Sequence, residues 1–347
     1  MQDKEYLQGA LTMTPDKSIL FGVADPINKV YPNSVKLALQ SEAGLQSEII
    51  TKQDLEEARP NLVDTHFIFS TWGMPALGED AIRLYFPKLE AVFYAAGSVQ
   101  GFARPFLSSG VRVFSAWKAN AVPVAEYTLA QILLANKNFY ACARYETAGD
   151  HDSAQAVKAQ ILGNYRCKVG IIGAGMIGKM VAQLLKQHDL EVLVFDPFLP
   201  DDKAMELGVK KVPLERIFEE CQTISNHLAN NPQTFGIFDY ALFNRMLPGS
   251  VFINTGRGAQ VVEPDLARLL KERPDVTAVL DVTFPEPPEP GHPFYSLPNV
   301  ILTPHIAGSI GNEFERMSLY MLEEYRRFTR GEPCFYEVTE EMLKTMA

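Results

Sequence analysis

With 347 residues, 47% of them hydrophobic and 21% charged, the chain has the make-up of a globular protein long enough for two domains, each with its own core. A formal net charge of −10 with no basic run argues against nucleic acid or an anionic membrane as the main partner. No apolar stretch approaches the roughly 20 residues of a membrane span, and the opening MQDKEYLQGA lacks a signal-peptide core, so the expected compartment is the cytoplasm.

Residues 1–17 are mixed and polar and read as an arm or flexible extension. Strands are then expected over Ser18–Ala24, Ile49–Ile50, Phe67–Ser70, Ala91–Ala95 and Val111–Ser115. Helices are expected between them, over Val35–Leu45, Asp54–Arg59, Glu79–Tyr85 and Phe102–Leu107. That alternation implies a parallel sheet covered on both faces. A long apolar helix, Val122–Tyr140, follows.

The most informative stretch is KVGIIGAGMIGKMVAQLLKQHDLEVLVFDP, residues 168–197. A strand (Val169–Ile172) leads into Gly173, Gly175 and Gly178, then a helix to about His188 and a second strand (Val192–Phe195) ending at Asp196. Strand, glycine turn, helix and strand, closed by an acid about 20 residues on, form a dinucleotide fingerprint. Gly173 permits the tight turn, Gly175 lets the backbone approach a pyrophosphate, and Gly178 allows close helix packing. Met176 and Ile177 open the helix, whose free N–H groups attract phosphate, and are counted with the cofactor site. Asp196 suits both ribose hydroxyls and would repel a 2′-phosphate, so the expected cofactor is NAD.

The rhythm continues with strands at Val209–Val212, Thr223–Leu228, Val251–Asn254, Thr277–Val282 and Val300–Thr303, and helices at Leu214–Glu220, Phe238–Met246 and Glu263–Lys271. The last helix, Asn312–Arg330, carries Phe314, Met317, Met321, Tyr325 and Phe328 as one apolar stripe, expected to return to the first domain. A fingerprint in mid-chain implies an inserted nucleotide domain. The expected fold is therefore α/β: two Rossmann-like or flavodoxin-like domains, with a nucleotide domain (101–305) set into a discontinuous substrate domain (1–100 and 306–347).

Chemistry-bearing residues sit at strand ends, where α/β sheets place ligands. Thr255 and Arg257 follow Val251–Asn254, Asp281 closes Ala278–Leu280, Glu286 lies in a Pro-rich loop, and His305 follows Ile301–Pro304. A hydride-transfer site needs a fork for a carboxylate, which arginine supplies, and a proton shuttle near neutral pH, which histidine supplies. A carboxylate beside the histidine fixes its tautomer and stabilises the imidazolium. His66, His151, His188 and His292 read as ordinary surface or core residues, and Trp72, Tyr94, Phe102 and Trp117 as packing aromatics. Cys142, Cys167, Cys221 and Cys334 are far apart without a C-x-x-C, so neither a disulfide framework nor a metal site is expected.

The segments GIIGAGMIGK, VFINTGRGAQVVE, AVLDVTFPEPP and LPNVILTPHIAGS closely resemble the D-isomer-specific 2-hydroxyacid dehydrogenases, which include phosphoglycerate, glycerate and D-lactate dehydrogenases. The resemblance covers roughly residues 90–330. It implies two α/β domains with the site in the cleft between them, usually a homodimer, acting on a small 2-hydroxy or 2-keto acid. Arg257 falls on the family's catalytic arginine, Glu286 on its glutamate and His305 on its acid/base histidine. Asp281 matches the acid that holds the nicotinamide carboxamide, Asp196 the ribose acid, and Gly97-Ser98-Val99 the carboxylate-binding loop. Two departures bear on substrate: the usual G-x-G-x-D reads Gly97-Ser98-Val99-Gln100-Gly101, and Thr283-Phe284-Pro285 precedes the glutamate. The reading is NAD-dependent interconversion of a D-2-hydroxyacid and a 2-ketoacid. The alternatives are a phosphite-type dehydrogenase on the same fold, or an NAD-sensing corepressor-like scaffold without turnover. A formate oxidase of this fold is disfavoured by Glu286, where the formate enzymes carry Gln.

Overall fold

Short apolar runs bounded by turns become central strands buried on both faces, and the chain builds two sheets from them that are parallel but for one edge strand. In a computed structural model, residues 16–344 are described; most of the expected arm, 1–15, lies outside them. The described chain divides into two compact units, 16–116 with 314–343, and 117–313 with Lys344. The breaks fall at 116/117 and 313/314, later than the expected 100/101 and 305/306; the first is later because the strand at 112–115 pairs into the first sheet.

The first unit holds β1 (Ser18–Phe21), β2 (Leu45–Ile50), β3 (Phe67–Ser70), β4 (Ala91–Tyr94) and β5 (Arg112–Ser115). A final strand, Glu337–Val338, pairs antiparallel with β5, giving the order Glu337–Val338, β5, β4, β3, β1, β2. The helix Glu313–Thr329 lays its stripe on this sheet. Tyr325 meets the rings of Phe67, Phe69 and Phe93 at 5.2, 5.7 and 5.8 Å, and Phe328 meets Phe114 at 5.9 Å. Buried Glu324 then accepts the N–H groups of Phe335 and Tyr336 at 3.0 Å each, steering the chain into its last strand.

The second unit holds β6 (Lys168–Ile172), β7 (Glu191–Phe195), β8 (Lys210–Lys211), β9 (Thr223–Asn226), β10 (Val251–Asn254), β11 (Thr277–Leu280) and β12 (Val300–Leu302). All are parallel, in the order β12-β11-β10-β9-β6-β7-β8. The order reverses between β6 and β9, the switch point where such sheets bind nucleotides. Alternate residues of each strand feed opposite cores. Phe252, Ala278 and Leu280 join Phe218, Phe238 and Phe243 on one face, while Val251, Ile253 and Val279 join Ile132, Val181 and Leu185 on the other. Burial on both faces is why these strands read as continuous apolar runs.

Some expected elements differ. The single helix Val122–Tyr140 is two, Trp117–Ala135 and Phe139–Thr147, broken where Asn138 adopts a left-handed φ of 47°. A further helix, His151–Lys158, is capped by Asp150, which accepts the N–H of Ser153. Residues 24–30 and 201–207 are helical where no helix is expected, and Phe238–Met246 shrinks to Tyr240–Phe243. No helix among the described residues is long and apolar enough to cross a membrane.

Candidate active site

The glycine turn has the shape its sequence demands. Gly173 sits at φ +92°, and a Cβ there would lie 2.7 Å from the carbonyl oxygen of His227. A Cβ on Gly178 would lie 1.9 Å from the Gly173 carbonyl oxygen, so the helix Met176–Leu185 can approach the turn only with glycine. By contrast, the space around Gly175 is open, and no side chain caps the helix there. Among the described residues no acceptor meets the N–H groups of Met176 and Ile177, which leaves them for an anion.

Asp196, at the end of β7, is fixed by three N–H donors: Ala174 at 2.6 Å, Phe198 at 2.8 Å and Leu199 at 3.1 Å. A cavity of about 300 Å³ opens beside it, lined by Phe195, Pro197, Lys211, Val212 and Pro213. An apolar slot, a carboxylate and a helix start in one unit fit adenine, ribose and pyrophosphate in turn.

His305 and Glu286, expected to act together, are in contact. His305 Nδ1 lies 2.8 Å from Glu286 Oε1, with the side chains 43% and 41% exposed and so open to a substrate. His305 has a left-handed φ of 55°, an unfavourable backbone for a non-glycine residue that its surroundings must hold in place. Asp281 supplies that hold. It is 1% exposed. Its carboxylate accepts the hydroxyl of Thr303 at 2.7 Å and the N–H groups of Ile306 and Ala307 at 2.8 and 2.9 Å, while its backbone carbonyl takes the His305 N–H at 3.0 Å. The resemblance assigns this residue to the nicotinamide carboxamide; its main visible work is anchoring the histidine turn.

Arg257 is half-buried just past β10. Its guanidinium donates to the Gly256 carbonyl at 2.7 Å and forms no ion pair among the described residues. Burial pushes its pKa down while the charge of Glu286 opposes that. A desolvated cation without a counter-ion is a waiting anion site. Gly97-Ser98-Val99, in the first unit, follows β4; its N–H groups meet no acceptor among the described residues, and Gly97 O accepts the Ser115 hydroxyl at 2.6 Å. Of the aromatic positions, Tyr94 and Phe102 are buried against each other at 4.8 Å, whereas Trp72 is 37% exposed and packs on Phe314.

A sequence profile described as the NAD-binding domain of D-isomer specific 2-hydroxyacid dehydrogenases matches residues 129–307. The chain belongs to the D-isomer specific 2-hydroxyacid dehydrogenase family. A glyoxylate reductase from Korarchaeum cryptofilum is 31% identical over 261 residues, covering 74% of this chain and 78% of that protein. A D-3-phosphoglycerate dehydrogenase from Archaeoglobus fulgidus is 29% identical over 224 residues, 65% of this chain; the match spans only 42% of that relative's length. In fold, the chain resembles the D-mandelate dehydrogenase of Rhodotorula graminis, with a TM-score of 0.76 at 21% identity, over 94% of this chain and 98% of that one.

Three further polar positions support the site without any signal in the sequence. His227, after β9, is buried between Ser225 Oγ at 3.0 Å and Thr255 Oγ1 at 3.5 Å, and burial pushes its pKa down to about 3, so it is neutral. Thr255, counted with the cofactor site, is itself buried and also faces the Thr128 hydroxyl at 3.4 Å. Asn226 and Gln260 are the other two, wholly buried beneath the Arg257 turn. A polar residue at a strand end, like Asn226 and His227, or in a short turn, like Gln260, carries no periodic signal.

Proposed function

We propose that this chain interconverts a D-2-hydroxyacid and a 2-ketoacid with NAD. The observation that carries the reading is the 2.8 Å His305–Glu286 pair, in the same unit as the dinucleotide turn and an Arg257 that forms no ion pair among the described residues. NAD, when bound, supplies the hydride to the substrate C2 or takes it away.

Everything else falls to the chain. Arg257 grips the substrate carboxylate through its fork and polarises the neighbouring carbonyl. The N–H groups of Gly97, Ser98 and Val99 are the proposed second hold on that carboxylate. Glu286 occupies Nδ1 of His305, fixing the tautomer and leaving Nε2 to the substrate. During reduction Nε2 gives its proton to the oxygen that becomes the hydroxyl; during oxidation it takes that proton back. Asp196 receives the ribose hydroxyls, and the free amides of Met176 and Ile177 receive the pyrophosphate. Asp281 takes the nicotinamide carboxamide with whatever acceptor capacity the histidine turn leaves it. The working assembly is proposed to be a cytoplasmic homodimer.

The test is oxidation of NADH across glyoxylate, hydroxypyruvate, pyruvate, phenylpyruvate and phosphohydroxypyruvate. Turnover of one or more supports the reading. Tight NADH binding with no turnover across the panel would replace it with a scaffold that senses NAD, and reduction of NAD by phosphite would move it to the phosphite chemistry.

A further inference from the structure

Three carboxamide side chains, Asn226, Asn254 and Gln260, lie wholly buried beneath the Arg257 turn. Pairing of β9 with β10 sets Asn226 opposite Asn254 in register. The Asn226 amide nitrogen donates to Asn254 Oδ1 at 2.9 Å and to Gln260 Oε1 at 2.6 Å, and its oxygen accepts the Leu228 N–H at 3.1 Å. Asn254 accepts the Gly256 N–H at 3.0 Å and donates to the Arg257 carbonyl at 3.2 Å. Gln260 Oε1 accepts the Arg257 N–H at 3.2 Å, while its nitrogen donates to the carbonyls of Leu228 and Ala229, both at 3.0 Å.

So the Arg257 N–H is held by a side chain, not by a neighbouring strand, and its carbonyl is held partly by another. The guanidinium folds back onto Gly256 O at 2.7 Å, so the direction of the charge follows the direction of the turn. No carboxylate among the described residues pairs with it to fix its aim independently. Gln260 also reaches the loop just after His227, whose carbonyl would meet any Cβ placed on Gly173. One amide thus ties the arginine turn to the segment backing the dinucleotide turn. A fully satisfied polar network in a dry interior admits one arrangement, and losing one member leaves the others unpaired.

We propose that Gln260 is a positioning residue for Arg257, holding that turn through the buried Asn226–Asn254–Gln260 network and thereby setting the affinity for the substrate carboxylate. The inference rests on the function proposed above and adds to it the residue behind the arginine.

The experiment compares wild type with Gln260→Leu and Gln260→Glu, using NADH and whichever keto acid the wild type reduces best. Wild-type protein that reduces none removes the functional reading, and this inference with it. Given wild-type turnover, Gln260→Leu is expected to lower kcat/KM for the keto acid by about tenfold or more, chiefly through KM, with NADH affinity within about threefold. Gln260→Glu keeps the oxygen that accepts the Arg257 N–H but loses both donors. Its kcat/KM relative to wild type is expected to rise as the pH is lowered, because the protonated carboxyl regains one donor. Both variants within about twofold of wild type would overturn the proposal. So would parallel losses of keto-acid efficiency, NADH affinity and melting temperature, which would mark a merely structural residue. If Gln260→Leu does not fold, the pH response of Gln260→Glu decides alone: a flat ratio overturns the proposal and a rising one supports it.

Discussion

Asp281 anchors the turn that presents His305: its carboxylate holds the two N–H groups after the histidine, and its own carbonyl holds the histidine N–H. The left-handed backbone at His305, φ 55°, is therefore held by one buried acid. Replacing Asp281 by Asn sets an amide NH2 against donors it cannot accept from. Small misplacements of a catalytic group cost up to about 100-fold in rate. Asp281→Asn is expected to lower kcat by roughly 10- to 100-fold, while NADH affinity measured by fluorescence titration changes much less. A loss confined to NADH affinity would return Asp281 to a purely cofactor-binding role.

His305→Ala removes the proposed proton donor and should lower kcat by roughly 10²- to 10⁴-fold, the usual worth of a positioned acid/base. Steady-state kinetics with saturating NADH checks this. Near-normal turnover would take His305 out of the mechanism and leave its contact with Glu286 as an ordinary loop interaction.

Asp196 both fixes the Ala174 N–H and faces the proposed ribose site. Asp196→Ala should weaken NADH binding by about tenfold, the scale of a lost charged hydrogen bond. It should also narrow the preference over NADPH, whose 2′-phosphate the carboxylate repels. Measuring kcat/KM for both cofactors in both proteins gives the answer; an unchanged ratio would mean that Asp196 does not select the cofactor.

His227 makes stability depend on pH. In the folded state it stays neutral down to about pH 3, whereas its ordinary value is 6.5. A depressed value means its contribution is intact above 6.5 and is lost progressively as the pH falls toward 3. At about 1.36 kcal/mol per unit, moving from pH 7.5 to pH 5 should remove about 2 kcal/mol. Urea unfolding at those two pH values tests it. His227→Asn should show a drop smaller by about that amount, and an equal drop in both proteins would show that other groups set the acid limb.

The strands were legible because burial on both faces leaves an apolar run with no alternation, as in Phe67–Ser70 and Val251–Asn254. The His305–Glu286 contact was legible because His305 follows a strand end, Glu286 lies in the loop beyond another, and both match a family pattern. The break at Asn138 was not, since apolar residues continue on either side of it and only the backbone turns. Nor was the carboxamide network. Asn226 and Gln260 are 34 positions apart and meet only once β9 and β10 are paired, a relation that no local window contains.

The return of helix Glu313–Thr329 and strand Glu337–Val338 to the first sheet inverts the order of completion during synthesis. The rings of Phe67, Phe93 and Phe114 leave the ribosome before the nucleotide unit, yet the residues that cover them, Tyr325 and Phe328, arrive only after it. The later-made nucleotide unit is contiguous up to residue 313 and has all its strands available first. The half begun first is thus the half finished last, and an aromatic sheet face waits for its lid while translation runs on.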